Sequence, residues 1–506
     1  MAPTASSALV LVLVWGLYII YSAIWRLYLS PIARFPGPKL AALTQWYELY
    51  YDIVKGGKYV WKIGELHEQY ATYELISPPG PIIRINPWEL HVNDPDFYDE
   101  LYAGGGAKRD KHVLLTGAFG NPESMIGTIS HSKHRQRRAP LNKFFSRASI
   151  TRLEPLIQSA VDTLCSRLRD FQKEKKQVLI SSGWSCFTND VVSEYAFGKS
   201  YNYLENSPDF HTDIHDALCN VGDMFHILRI MPWAIGPMQR LPRWIMKMLD
   251  PKTLSFIDFQ KDIAAQIKAI MTGSNETYKS VSHPTIFHDI LNSSLPPEEK
   301  KLERLWQEGQ TVIGAGTETT AWALSVTTFH ILSNPLIRQR LLEELKPLFD
   351  STDGKPMFSA LEQLPYLGAV ISEGLRLSYG VTTHLQRVFP DAAMPFQTRE
   401  IPPGTPVSMS SILIHQNPTI FPNPHTFDPD RWIDNPGLKR YLVSFSKGSR
   451  QCLGMNLAYA ELYLGIAYVM WRFQVMELVG TTGDDVGVVA DYFMPLPRNR
   501  EIVILL

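Results

Sequence analysis

The chain has 506 residues, 45% of them hydrophobic, and its 49 Lys and Arg against 50 Asp and Glu give a formal net charge of -1. That balance excludes the basic footprint of a nucleic-acid binder and leaves ample apolar material for a large core. Four cysteines (Cys165, Cys186, Cys219 and Cys452), with no CxxC pair and no zinc-finger spacing, exclude a disulfide framework and point to a reducing compartment.

The first 25 residues hold no charged side chain, and the run from Ala8 to Ile24 is about long enough to cross a bilayer as a helix. Arg26, Arg34 and Lys39 follow it and no basic residue precedes it, so the positive-inside rule puts the remainder in the cytosol. A cleaved signal peptide is the competing reading, but a basic leader and a small-residue cleavage site are missing. Residues 1–30 are therefore expected to form a single-pass anchor in the endoplasmic reticulum membrane. Pro31 and Phe35-Pro36-Gly37-Pro38 make 31–45 a stiff hinge, and 46–506 are read as one domain without an internal linker.

Within that domain, Trp46 to Tyr70 has a helical pattern and Ile82 to Val92 a strand-like one around Asn86-Pro87. From Ala148, apolar residues at 153, 157, 161, 164 and 168 predict a helix; two more follow over 209–224 and 257–271. The segment 282–299 is mixed. Glu303 to Leu332 predicts one long helix, stopped by Ser333-Asn334-Pro335, which also starts the next one over 335–349. A helix over 359–377 opens on Ser359 and Glu362 at capping-box spacing. Short strands are expected over 383–389 and 405–411, and a last helix from Leu453 to Phe473. The fold class is mainly α with a minor β portion.

The chemistry concentrates in Phe445-Ser446-Lys447-Gly448-Ser449-Arg450-Gln451-Cys452-Leu453-Gly454. This is a glycine-punctuated loop that delivers one cysteine to the start of a helix, where backbone N–H groups are expected to lower the thiol pKa. Gly448 and Gly454 permit close approach to a flat ligand. Arg450, two residues before the sulfur, can meet a carboxylate of that ligand. A lone thiolate points to the axial position of a haem iron rather than to zinc.

The spacing F-x-x-G-x-R-x-C-x-G resembles the haem-binding signature of the cytochrome P450 family, at all five specified positions. The runs SPIARFPGPKLAALTQWYELYYD, RINPWELHVNDPDFYDELYAGG and HRQRRAPLNKFFS are similar to those of fungal members related to trichodiene oxygenase, which implies secondary metabolism. Residues 71–80, ATYELISPPG, depart from that likeness, either as a loop insertion or as a misread intron. The resemblance implies a P450 fold, with Cys452 as the iron ligand of haem b and Phe445 shielding the sulfur. Glu373 and Arg376 of the E-x-x-R pair, with Arg431 of the segment Phe427 to Trp432, become a structural cluster. Thr319 and Glu318 become an alcohol–acid pair that passes protons to bound O2, beside the small residues Ala315 and Gly316. His134, in the place of a usual Trp, joins Arg138 and Arg387 as a propionate ligand. The basic run around Arg138 also reads as a solvated face or a patch for an acidic redox partner.

The resemblance further implies that one oxygen atom of O2 enters an apolar small molecule, a terpenoid or polyketide, by hydroxylation or epoxidation. Because no G-x-G-x-x-G follows a strand, NADPH must act through a separate P450 reductase on the same membrane, with cytochrome b5 as a second donor. Substrate contacts are expected near Met224–Trp233, at Ala315 and Thr319, and over Val381–Leu385. Two rival readings stand beside this one: a thiolate-haem isomerase or dehydratase, which needs no acid–alcohol pair, and a non-enzymatic anchored binding protein. Two glycosylation sequons, at Asn275 and Asn292, go unused in a cytosolic domain.

Overall fold

The computed structural model describes residues 5–72, 81–249 and 251–506. Its helices of twelve residues or more, numbered in chain order, are α1 Ala5–Ile24, α2 Tyr59–Thr72, α3 His131–Asn142, α4 Arg147–Glu174, α5 Ile180–Phe197, α6 Asp213–Ile230, α7 Pro251–Met271, α8 Leu302–Ser333, α9 Pro335–Ser351, α10 Pro365–Leu377 and α11 Met455–Arg472. The strands are short: β1 Ile82–Arg84, β2 Leu90–Val92, β3 Val178–Leu179, β4 Arg387–Val388, β5 Met394–Phe396, β6 Arg399–Ile401, β7 Pro406–Ser408, β8 Glu477–Leu478, β9 Val488–Tyr492, β10 Met494–Pro497 and β11 Val503–Leu505. The mainly α expectation holds.

Helix α8 is the axis of the molecule. Its 32 residues span about 48 Å, and it packs on α5, α7, α10 and α11. It stops where expected: Asn334 turns extended, and its side chain accepts from the N–H groups of Leu336 and Ile337 to cap α9, with Pro335 at the first helical position. Two glycines let backbones approach this axis. A Cβ at Gly316 would lie 2.7 Å from Val192 of α5, and one at Gly374 of α10 would collide with the Thr327 hydroxyl.

The main sheet orders β1-β2-β7-β4, with β2 parallel to β7 and the other pairs antiparallel. β1 and β2 form one hairpin, whose turn is tied by Asn86 Oδ1 accepting from the N–H groups of Trp88 and Glu89. Every residue of both strands is buried, so the apparent alternation is not an in–out pattern. The sheet also seats the chain that leaves the anchor. Ile32 and Phe35 are buried against it, and the Arg84 guanidinium donates to the Arg26 carbonyl at 2.6 Å. Residues 31–36 are thus docked on the body.

Two predicted helices are interrupted. The stretch 46–70 breaks at Gly56 and Gly57, both at φ +69, where a Cβ on Gly57 would strike the Asp491 backbone. The stretch 359–377 divides into Phe358–Leu361 and α10, because Pro365 cannot continue a helix from its N-terminal side. Ser359 lies inside the first piece and caps nothing, and Glu362 pairs with Arg147. The hairpins β5–β6 and β9–β10 carry no alternation that sequence reading detects.

Leu9–Leu29 is long and apolar enough to cross a membrane, and none of it is buried in the protein. Of the segment 71–80, residues 73–80 lie outside the described residues.

Candidate active site

The cysteine loop is built locally. Ser446 and Gly448 have positive φ (+54 and +74), and the Cys452 N–H donates to the Phe445 carbonyl at 2.9 Å, closing the loop on itself. A Cβ on Gly448 would strike the carbonyls of Tyr102 and Ala103, so this glycine is needed for packing against the 102–103 backbone. Around Gly454 nothing lies within 4 Å of such a Cβ, and that side is open. Phe445 packs on Tyr459, ring centroids 5.3 Å apart.

Above the loop lies a cavity of about 280 Å³, lined by Phe445, Gly454 and Cys452 on one side and by Ala315, Gly316 and Thr319 of α8 on the other. Cys452 lines this cavity and keeps an exposed surface. The N–H groups of Gly454 and Met455 and the charge of Arg138 favour the thiolate, yet burial outweighs them and raises the thiol pKa. The backbone N–H groups at the helix start lower it as expected, but the net shift is upward, not downward. Desolvation is the larger effect, and a coordinated metal ion would be needed to hold the thiolate.

The most informative feature is cationic. Lys111, Arg138, Arg387 and Arg450 all line the cavity. Their donors reach backbone carbonyls: Lys111 that of Ile126 at 2.6 Å, Arg138 that of Gln451 at 2.6 Å, Arg387 that of Gln386 at 2.9 Å, and Arg450 those of Arg109 at 3.0 Å and Thr128 at 2.9 Å. Among the described residues, none of the four has a salt-bridge partner. Burial pushes Arg450 down to about 9, with Arg387 and Arg138 adding to the shift. Burial, then Arg450, Arg387 and Arg138, holds Lys111 well below its ordinary value. Buried like charges without an anion are costly. A ligand with two carboxylates would offset that cost, so the residues present fit the propionate edge of a haem. His134, one turn before Arg138, also lines the cavity, and burial pulls its pKa down to about 2.

Helical spacing divides the basic run. His134 and Arg138 face the cavity, Arg137 turns to Glu299 (2.9 Å) and Glu123 (2.7 Å), and Arg135 is exposed. Lys111 escaped sequence reading because nothing local sets it apart from neighbouring surface lysines.

The alcohol–acid pair is not brought together on one face. Thr319 lines the cavity and donates to the Ala315 carbonyl at 2.7 Å. Glu318, the adjacent residue and so turned by about 100°, accepts from Ser185 at 2.8 Å and lies 2.9 Å from His215 Nδ1. Both Glu318 and His215 line a second cavity of about 80 Å³. Burial raises the Glu318 pKa, but His215 and then Arg500 lower it more, so the net shift is downward. The small size of Gly316 is accounted for by Val192 of α5, although its backbone borders the main cavity.

Glu373, Arg376 and Arg431 do meet. Arg376 forks onto Glu373 at 2.9 and 2.7 Å, and Arg431 Nε reaches Glu373 Oε1 at 3.1 Å. Trp432 Nε1 and the Asp428 N–H complete the carboxylate's shell, and Glu373 and Arg376 are wholly buried.

Val381, Thr383 and Leu385 line the cavity as expected, but Met224–Trp233 does not. Phe225 sits behind Phe119 and Phe493, with centroids 5.5 Å away from each, and Trp233 points to solvent. Leu115, Phe119 and Phe493 take the lining role instead.

The cytochrome P450 family profile matches residues 80–485. The chain is 43% identical over 476 residues (93% of this chain, 88% of the other) to the cytochrome P450 monooxygenase tpcC of Cochliobolus heterostrophus. It is 41% identical to the tryptophan 6-hydroxylase fscE of Fusarium equiseti (97% of this chain, 94% of the other). To the conidiogenone synthase of Penicillium rubens it is 40% identical, over 94% of each chain. With the family matched over most of its length and fungal monooxygenases alike from end to end, this chain belongs to the cytochrome P450 family and acts as an oxygen-incorporating oxidoreductase.

Proposed function

We propose that Cys452 is the axial thiolate of a haem b seated in the large cavity, with Lys111, Arg138, Arg387 and Arg450 holding its propionates. The observation that carries this is the shared wall: one cysteine and four cations that have no carboxylate partner among the described residues line a single cavity. When bound, haem supplies reductive activation of O2, one oxygen atom entering the substrate and the other leaving as water. Electrons come from NADPH through a separate P450 reductase, with cytochrome b5 as a second donor.

The protein's own residues divide the remaining tasks. Thr319 holds a hydroxyl at the α8 face of the cavity. Glu318, on the neighbouring cavity, holds a carboxylate next to His215 from which that hydroxyl's side can be resupplied with protons. Glu373, Arg376 and Arg431 fix α10 beneath the cysteine loop and have a structural role. The apolar lining (Leu115, Phe119, Val312, Phe493) suits an apolar substrate of the terpenoid or polyketide kind. Relatives include tryptophan hydroxylases as well as a conidiogenone synthase, which supports a secondary-metabolic substrate for this chain. A hydroxyl at Thr319 and monooxygenase relatives favour oxygen insertion over isomerase, dehydratase or binding roles. Residues 1–30 anchor the domain at the cytosolic face of the endoplasmic reticulum.

The test is the carbon monoxide difference spectrum of the reduced full-length protein. A strongly red-shifted Soret band in the wild type that disappears in Cys452→Ser is the expected result. A well-folded wild type that binds haem without this band rejects the thiolate assignment.

A further inference from the structure

Glu308, Val312, Ala315 and Thr319 lie at helical spacing on α8, and all four line the main cavity. Three are what an apolar pocket and an oxygen site require; Glu308 is not. Its side chain is fully buried. One oxygen, Oε2, is committed: it accepts from the Met125 N–H at 3.0 Å and from Arg304 at 2.6 Å. The other, Oε1, is buried and meets no donor among the described residues. Beside it, Thr311 also lines the cavity and accepts from Asn121 Nδ2 at 2.9 Å, while Asn121 Oδ1 likewise has no donor. An unsatisfied carboxylate oxygen is among the costlier features a buried site can keep.

The charge around Glu308 is already balanced. Glu299 receives Lys133, Arg137 and Arg304; Arg304 pairs with Glu308, and Arg137 with Glu123. Three cations face three carboxylates, so no net negative charge is left to call for an ammonium group. Arg304 Nη1 is a buried donor that also lacks a partner, but its charge is already counted in the pair with Oε2; what Oε1 itself lacks is a neutral hydrogen-bond donor. Glu308 precedes Thr319 by eleven residues, about 16 Å along the helix axis, with Val312 and Ala315 between.

We infer that Glu308 is the specificity-determining anchor of the substrate cavity: its Oε1 accepts a hydrogen bond from a neutral O–H or N–H at one end of an elongated apolar substrate. Oxygen insertion then falls at the end remote from that donor. This rests on the proposed placement of the oxygen-activating group over Cys452, beside Thr319.

A matched probe pair tests it: farnesol and farnesyl methyl ether, which share an apolar body and differ in the donor. Binding is followed on the full-length holoenzyme by intrinsic tryptophan fluorescence, which does not require turnover. The wild type is expected to bind the alcohol about tenfold or more tightly than the ether. In Glu308→Gln, the amide oxygen must stay on the Met125 N–H and Arg304, which turns the NH2 into the cavity. The preference should then vanish or invert toward the ether. Equal affinity of the wild type for both probes, or no binding of either, overturns the inference. So does a folded Glu308→Gln that keeps the wild-type preference; if that variant does not fold, the wild-type ratio decides alone. The carbon monoxide band, recorded on the same samples, separates this result from failure of the functional reading.

Discussion

Glu461 shows how far single residues depart from what their chemistry suggests in water. It sits on α11, 1% exposed, lines the main cavity, and burial raises its pKa well above the carboxylate range, with only Thr320 opposing. Burial thus favours its neutral form. Glu461→Gln should therefore leave the melting temperature and the carbon monoxide band within error of wild type. Glu461→Lys, which brings an uncompensated charge to the same place, should abolish folding. Glu373 is the opposite case, a carboxylate whose buried partners are all present. Removing one of them with Arg376→Ala should cost about 3–5 kcal/mol and prevent haem incorporation, read as loss of the Soret band. Legibility at this scale followed range. Cys452, Phe445 and Arg450 are fixed by ten consecutive residues and could be read directly. Lys111 and Glu308 acquire meaning only from Arg138, Arg450 and Met125, which fold in from elsewhere in the chain.

At the scale of elements, the sequence was most readable where a cap and a proline together set a boundary, as at Asn334-Pro335, whereas the boundary at Pro365 was missed inside the helix expected over 359–377. It was least readable where long-range packing decides, as in the Gly56-Gly57 break against Asp491 and the short hairpins. The contact of α10 with α8 illustrates the second kind. Gly374 is invisible to periodicity, yet its missing Cβ is where Thr327 lies. Gly374→Val should force the helices apart and destabilise the protein by about 1–3 kcal/mol, measurable as a fall in melting temperature. The same reasoning bears on the sequon at Asn275. Its side chain is buried and donates to the Phe197 carbonyl at 2.9 Å, so it would be a poor acceptor of glycan in the folded state.

For the whole molecule, a buried ionic cluster joins regions far apart in sequence. Arg229 of α6 reaches Glu48 and Asp52 just after the hinge, and His226 lies 3.3 Å from Asp52. His384, in the chain that lines the cavity, lies 3.5 Å from Glu89 and 3.9 Å from Glu48. Burial opposes the charge on His384, but Glu89 and then Glu48 raise its pKa from 6.5 to about 9. Its stabilisation is present below pH 6.5 and lost as pH rises through about 9. Glu89 moves the other way: despite burial, His384 brings it from 4.5 to about 2. Its contribution is present above pH 4.5 and lost as pH falls through about 2. The His384–Glu89 pair is thus fully stabilising between pH 4.5 and 6.5. Thermal melts across pH should show the alkaline decline flattened in His384→Gln. The cluster also holds the post-anchor segment, with Trp46, Tyr50 and Val54 exposed, close to the end of α6, where Trp233 is exposed. A protein lacking residues 1–30 should for that reason still sediment with phospholipid vesicles.

The four cations around the cavity have a consequence for the life of the protein in its cell. On the haem placement proposed above, a polypeptide that has not yet met its porphyrin confines four basic groups that disfavour one another's charge, and the cofactor's two propionates would offset that cost. By mass action, the folded population then follows the free cofactor concentration. On that placement, porphyrin supply would act as a quality gate on this enzyme: in a cell short of iron or of porphyrin precursor, newly made chains would stay open to proteases. The amount of enzyme would then fall without any change in transcription.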